Sequence, residues 1–324
     1  MRLSPLFAFA CALAIVAGCA SGAPATTAPA ASGSCPSAPD AGTPAGWGPP
    51  PPPAPQVLPY LINGAGEMTC GPNRLLFVFL DPKTNAPIAD PDRTAKIAFY
   101  DLARDPSKPT STVNTTFVWA IENERGNYIA NVDFPEAGIW GAEITTMAGV
   151  GGEVVRMTFQ VSATSPVVRV GQPAPATKTP TAADVGGDLA KISTDTKPDP
   201  ALYRTSADEA IAKHQPLLIA FATPKFCQSA QCGPTLDRLK PFVAKYPSVA
   251  FIHVEPYQLE FKDGQLQPVL TGNPPNLTPA DVTNRWGLLS EPWVFVVDRD
   301  GIVRGSFALI FSDAELTAAL DKVK

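Results

Sequence analysis

Leu217-Leu218-Ile219-Ala220-Phe221-Ala222-Thr223-Pro224-Lys225-Phe226-Cys227-Gln228-Ser229-Ala230-Gln231-Cys232-Gly233-Pro234 is the stretch on which the reading of this chain turns. Its first six residues are an apolar run of strand length, the pattern of a strand buried in a sheet. A short loop with two cysteines follows. Then comes an amphipathic helix from about Pro234 to Tyr246, with Leu236, Leu239, Phe242 and Val243 on one face. This order puts two thiols at the C-terminal edge of a sheet and near a helix N-terminus. Partial positive charge there favours thiolate over thiol. The arrangement points to redox chemistry.

Working outward, residues 183–324 read as α/β. Ser206-Ala207-Asp208-Glu209 has the form of a capping box and opens a short helix to Lys213. Ser248 to Glu255 is a second buried strand, and Pro256 to Asn276 a polar loop with Pro and Gly. Thr278 is placed to cap another short helix with Pro279 at its first position. A strand from Trp293 to Asp298, a turn at Arg299-Asp300-Gly301 and a strand from Ile302 to Leu309 come next. Ser312-Asp313-Ala314-Glu315 opens a last helix whose apolar face is Leu316, Ala319, Leu320 and Val323.

Upstream, residues 56–164 have an all-β pattern. Runs rich in Val, Ile, Phe, Tyr and Thr span Arg74 to Leu80, Ala95 to Tyr100, Thr115 to Glu122, Asn127 to Phe134, Gly138 to Thr146 and Glu153 to Ser162. Turn signals such as Asp81-Pro82, Arg125-Gly126-Asn127 and Pro135-Glu136-Ala137-Gly138 separate them. Six or seven short strands in roughly a hundred residues argue for a β-sandwich. Residues 165–182, around Gly171-Gln172-Pro173-Ala174-Pro175, read as a linker.

Residues 19–55 read as a disordered stalk rich in Pro and Ala. Twelve prolines fall between Gly22 and Pro59, and no Lys or Arg occurs between Leu3 and Asn73. Such a composition cannot bury enough apolar surface to fold, and Pro49 to Pro53 should be polyproline II. Residues 1–18 have the form of a signal peptide: Arg2, an apolar stretch from Leu6 to Ala17, and then Val16-Ala17-Gly18-Cys19. That ending resembles the bacterial lipobox, which implies cleavage before Cys19 and lipidation of its thiol. An ordinary signal peptide or an uncleaved anchor is the alternative. The expected site is extracytoplasmic, with the membrane reached through a lipid anchor rather than a span.

The formal charge is −5, from 25 basic and 30 acidic residues. Loss of Arg2 with the signal leaves 24 basic residues and a charge of −6. No Lys/Arg run appears, so nucleic acid is not an expected partner. Of six cysteines, Cys35, Cys70, Cys227 and Cys232 remain once Cys11 leaves with the signal and Cys19 carries lipid. An even number in an oxidising compartment allows two disulfides, and chain order pairs Cys35 with Cys70 and Cys227 with Cys232.

Strand, cysteine loop, helix, strand, helix, Pro-led strand, hairpin, helix is the order of a thioredoxin fold, and residues 171–324 resemble the thioredoxin-like superfamily. The layout is closest to exported, membrane-tethered redoxin-type proteins. The resemblance rests on the Gly171-Gln172-Pro173-Ala174-Pro175 lead-in, the approach from Phe221 to Cys227, Cys232-Gly233-Pro234, Glu291-Pro292 before a strand, and Asp298-Arg299-Asp300-Gly301. It implies that Pro292 is a cis-proline facing the cysteines. Tyr128 to Trp140 resembles the last strands of bacterial immunoglobulin-like domains. The expected fold is therefore an immunoglobulin-like β-sandwich followed by an α/β thioredoxin-like half.

Three departures qualify the resemblance. Four residues separate Cys227 from Cys232, where the family usually has two. Counting from the strand makes Cys227 the nucleophile; matching Cys-Gly-Pro makes it Cys232, with Thr235 where the second cysteine would stand. Ala220 occupies the position of the family's proton-shuttling Asp, and Phe226 replaces the usual Trp. Proton transfer then needs another group, Glu255 or water. Lys225 is placed to stabilise a thiolate.

The chemistry implied is thiol–disulfide exchange with exported proteins that carry thiols or disulfides, without a cofactor or a resident metal. Two other readings stand beside it. In one the Cys227–Cys232 bond is a staple in a surface binding module, with Trp286, Trp293 and the loop from Tyr257 to Leu277 lining a groove. In the other two soft thiolates hold Cu(I). His214 reads as exposed and His253 as a satisfied strand residue, so neither is an expected ligand.

Overall fold

The computed structural model describes residues 35–39, 42–49, 53–63 and 67–324. The signal peptide, Cys19 and residues 20–34 of the stalk reading lie outside them. The chain is β-rich, with several antiparallel sheets.

Nine strands fill the first region: β1 Leu58–Leu61, β2 Gly71–Leu80, β3 Pro87–Ile88, β4 Thr94–Asp101, β5 Ser111–Asn114, β6 Thr116–Ile121, β7 Arg125–Phe134, β8 Gly138–Ala148 and β9 Gly151–Val161. One sheet has the order β1-β2-β7-β6, with β3 paired to β2; the other runs β5-β4-β8-β9. Every pairing is antiparallel. Side chains alternate across a strand, so Leu75, Phe77 and Phe79 of β2 meet Ile97 and Phe99 of β4 and Trp140 and Ile144 of β8 in one core. The outer faces then diverge. In β9, exposed residues alternate with buried Val155, Phe159 and Val161. In β2 the opposite face is buried as well: Leu76 is fully covered.

β5 and the two-residue β3 carry no long apolar run and show only through their pairing, and β1 lies in the Pro-containing run Val57 to Ile62 that the composition of the stalk masks. Part of the segment read as a free stalk is held down. Ala38 donates to Ala137 O and Ala137 to Pro36 O, both at 2.8 Å. Trp47 is buried against Tyr100 (centroids 4.9 Å apart), and its Nε1 donates to Pro106 O. The reading of these residues as disordered weighed their prolines and overlooked one aromatic ring that can bury against a sheet.

The second region centres on β10 Leu217–Phe221, β11 Ala250–Val254, β16 Trp293–Val297 and β17 Val303–Ala308. Their order is β11-β10-β16-β17, with β10 and β11 parallel and the other pairs antiparallel. Helices cover both faces: α1 Ala207–Ala212 and α3 Asp281–Trp286 on one, α2 Cys232–Lys245 and α4 Asp313–Asp321 on the other. Leu217, Ile219 and Phe221 therefore face α1 and α3, and Leu218 and Ala220 face α2 and α4. Burial on both sides is why β10 reads as an unbroken apolar run.

Several local expectations are corrected. The segment read as a linker runs along the outer edge of β17: Gly171 N donates to Val303 O, Val303 N to Gln172 O, and Ala174 N to Gly301 O. This covers an edge that would otherwise present unpaired backbone. Ser206 precedes α1 but makes no capping box, because its Oγ accepts from Thr179 N instead. Thr278 does not cap α3; Ala280 is the N-cap, and Thr278 Oγ1 bonds Thr271 Oγ1. The polar loop after β11 contains two small hairpins, β12 Leu259–Lys262 with β13 Gln265–Pro268 and β14 Leu270–Thr271 with β15 Asn276–Leu277. At the turn of the first, Asp263 and Gly264 both have positive φ, the geometry that Asp-Gly turns favour. The capping box at α4 is present, with Ser312 and Glu315 bonded reciprocally.

The two regions meet along a continuous contact. Leu309 and Ile310, just past β17, pack on Leu76, Val118, Ala120 and Ile129 from the outer face of the first sheet. Arg74 and Glu315 form a two-pronged ion pair across the seam, at 2.7 and 3.1 Å. Among the described residues no helix is long and apolar enough to cross a membrane.

Candidate functional site

β10 ends at Phe221, and the chain loops through Cys227 to enter α2 at Cys232. Cys232 is the first helical residue. It is fully buried, in the apolar layer with Ala220, Ala222 and Leu236. Cys227 is half-buried at the rim of the same layer. The two cysteines are joined as a disulfide, with Cα atoms 6.0 Å apart. Cys227 Sγ accepts from Cys232 N–H at 3.3 Å, and Ser229 Oγ stands 3.3 Å away. The first turn of α2 has no acidic residue, so its N-terminal dipole acts on the sulfurs without opposition from its own helix.

Glu291-Pro292 opens β16, the antiparallel neighbour of β10, and this brings it beside the cysteines. The Glu291–Pro292 peptide is cis. Pro292 O accepts from Leu309 N at 2.7 Å. The Glu291 carboxylate is buried and held from two sides: Oε1 accepts from Gln228 N at 3.2 Å, and Oε2 from the Tyr257 hydroxyl at 2.6 Å. Glu291 O accepts from Ser229 Oγ. Burial, with the bond to Glu291 adding to it, pushes the Tyr257 hydroxyl well above its usual range, so it stays a donor at neutral pH.

Cys227 Sγ, Cys232 Sγ and a Glu291 carboxylate oxygen lie within 4.8 Å of one another. With the cysteines reduced, this set could hold a metal through two thiolates and one oxygen. A carboxylate suits borderline Zn(II) better than Cu(I), which prefers soft ligands throughout.

The first region reaches this site. Arg125, at the start of β7, donates to Ser229 O in the cysteine loop at 3.0 Å. Arg238 of α2 bridges both regions, donating to Phe311 O and to Trp119 O of β6. A cleft of about 750 Å³ opens further along the seam, bordered by Cys70, Arg74, Arg169, Trp293, Phe307 and Glu315. Neither Cys227 nor Cys232 lines it.

Other singled-out residues fall elsewhere. Lys225 Nζ bonds Gln265 Oε1 and Leu266 O of the β12–β13 hairpin, with no bond to a sulfur. Glu255, named as a proton acceptor, is turned to Thr194, whose N–H and hydroxyl both donate to its Oε1. Trp286 lines no groove; it is fully buried between Phe221 and Phe295. Trp293 stacks on Phe295 and donates to Ser306 Oγ. His253 Nε2 donates to Ala222 O and its Nδ1 accepts from Tyr203 OH. His214 is exposed, with Nδ1 bonded to Arg299 O. Cys35 and Cys70 are joined, S–S 1.95 Å. The sequence reading gives Glu291, Tyr257, Ser229 and Arg125 no part in the chemistry: Glu291 enters only through Glu291-Pro292, Arg125 as a turn residue and Tyr257 as the start of a loop. The one signal was an acid directly before Pro292. No family model matches this chain, and a search of curated proteins finds no match.

Proposed function

We propose that this protein carries out thiol–disulfide exchange through Cys227 and Cys232, on a thioredoxin-like half that follows an immunoglobulin-like sandwich. In this reading it works outside the cytoplasm on a lipid anchor at Cys19. The observation that carries the proposal is the unequal setting of two bonded cysteines at one helix N-terminus: Cys227 at the rim, Cys232 buried. The strand order β11-β10-β16-β17 with helices on both faces, and Pro292 beside the pair, support the thioredoxin-like reading. Two antiparallel sheets around one core support the sandwich. Two disulfides suit an oxidising compartment. The lipid anchor rests on the Cys19 motif alone.

In the reduced protein the Cys227 thiolate attacks a partner disulfide. A Cys227–partner bond forms and one partner thiolate leaves. The Cys232 thiolate then attacks Cys227 Sγ, the internal disulfide forms, and the second partner thiolate leaves. Two electrons pass from the protein's dithiol to the partner; run backwards, the same steps oxidise the partner. Cys227, at the rim, is less buried than Cys232, which favours it as the nucleophile that a partner meets first.

A thiol-labelling titration of the intact chain in defined redox buffers, read by peptide mass, tests the proposal. Reversible opening of Cys227–Cys232 at a potential above about −300 mV is the expected result. A pair that stays oxidised until the protein unfolds would be a staple, and the binding-module reading would replace this one.

A further inference from the structure

Cys232 must lose a proton before it can close the internal disulfide, and its surroundings narrow where that proton goes. Its side chain has no contact with solvent. Beneath it the sheet offers the methyl side chains of Ala220 and Ala222, which carry no titratable group. The carboxylate grouped with the two sulfurs is that of Glu291. Glu255 is outside that group; its Oε1 is occupied by Thr194 and its Oε2 is buried without a partner.

We infer that Glu291 is the general base that takes the Cys232 proton during closure of the disulfide, and the acid that returns it on opening, with Tyr257 fixing its orientation. This rests on the exchange reading. A carboxylate has about four acceptor positions, and Gln228 N–H and Tyr257 O–H occupy two. These two donors fix the carboxylate with an oxygen within 4.8 Å of both sulfurs. In the closing step the S–H bond of Cys232 breaks and the proton passes to the Glu291 carboxylate. The electron pair left on sulfur attacks Cys227 Sγ, and the partner leaves as a thiolate. The ionisable groups around Glu291 are the two cysteines and Tyr257. Arg125 reaches the neighbouring Ser229 O, and Glu67 bonds the hydroxyl of Ser290.

The test separates the two steps. The full chain, with Cys11→Ser and Cys19→Ser to silence those thiols, is reduced only until Cys227–Cys232 opens, with Cys35–Cys70 checked as intact by peptide mass, and is mixed with dithionitrobenzoate in a stopped-flow instrument. Attack by Cys227 releases the first coloured thiolate, and closure by Cys232 the second; peptide mass identifies the cysteines involved. In Glu291→Gln the second phase should slow about 100-fold or more at neutral pH. The first phase should be unchanged or faster, because a nearby negative charge is gone. Raising the pH should restore the second phase as Cys232 ionises unaided. Glu255→Gln is the control that must leave the second phase unslowed. Tyr257→Phe, which keeps the ring, should slow the second phase less. It also stands in for Glu291→Gln if that variant melts early. A second phase at the parent rate in the folded variants, or equal slowing of both phases, overturns the role of Glu291. If the parent never forms a reducible pair, the exchange reading itself fails, which is a separate result.

Discussion

The two disulfides are the same bond in opposite settings. Cys35–Cys70 closes a loop with a sequence separation of 35 and ties the start of the described chain to the first sheet, with Trp47 buried a few residues on. Cys227–Cys232 spans a separation of 5 at a helix N-terminus, with a carboxylate beside it. In the chain-entropy view, cross-linking stabilises mainly by restricting the unfolded chain, so the long loop contributes about 4 kcal/mol and the short one about 2 kcal/mol. The short bond therefore gives up less stability on opening. On the proposed reading, a staple and an exchangeable pair would differ in loop length and in neighbours, and neither would need a special sulfur.

The largest effect tests the long bond. Cys35→Ser with Cys70→Ser should lower unfolding free energy by about 4 kcal/mol, read by denaturant titration. A loss smaller than that from removing the short bond would reverse the comparison. Trp47→Ala sharpens it. The ring is buried, sits at 61° to Tyr100, and has the Arg156 guanidinium 5.0 Å from its centroid. Emptying that site should cost about 3 kcal/mol and speed proteolysis at residues 42–49. If the variant melts like the parent, the disulfide alone holds the segment. Replacing the short bond, with Cys227→Ser and Cys232→Ala, should cost only about 2 kcal/mol.

The two settings were unequally legible. β10, β11 and β16 are buried on both faces, so β10 and β16 stand out as unbroken apolar runs and β11 as a run interrupted only by His253. The strands of the first sheets show apolar residues in short β-rich runs between turn signals. The pairing partners of β1, β3 and β5 were not visible, because those strands are short and half-exposed. The β12–β13 hairpin was hidden by its polar, exposed residues; only Asp263-Gly264 signalled it. At the site, the cysteines could be placed because strand, loop and helix are consecutive. Glu291 could not be. Its partners Gln228 and Tyr257 lie 63 and 34 residues away, and only the pairing of β16 with β10 brings them together. Arg125 is separated from Ser229 by 104 residues and by the whole seam between the regions. Sequence patterning reports which residues avoid water, and it is nearly silent about which polar groups from distant elements will meet.

The smallest effect concerns the seam that joins the two disulfide-bearing regions. Arg74 Nε and Nη2 bind the two Glu315 oxygens, and the same carboxylate closes the capping box with Ser312. Burial pushes the Glu315 carboxyl up, but the Arg74 guanidinium and the Ser312 N–H and hydroxyl outweigh it and hold it below its ordinary value. A carboxyl depressed in the folded state stabilises above its unfolded pKa of about 4.3, and that contribution is lost as pH falls through the lower, folded value. Arg74→Met should therefore lower stability by about 1 kcal/mol at pH 7, the upper end for surface pairs, because this one is mostly buried and bidentate. The gap from the parent should shrink as pH falls below the unfolded value of about 4.3 and through the lower, folded one. Unfolding titrations of both proteins from pH 7 to about pH 3 would show it. A gap that stays constant with pH would mean that Arg74 acts there through its packing on Phe307, whose ring centroid is 5.8 Å from the guanidinium, and that charge does not hold the seam.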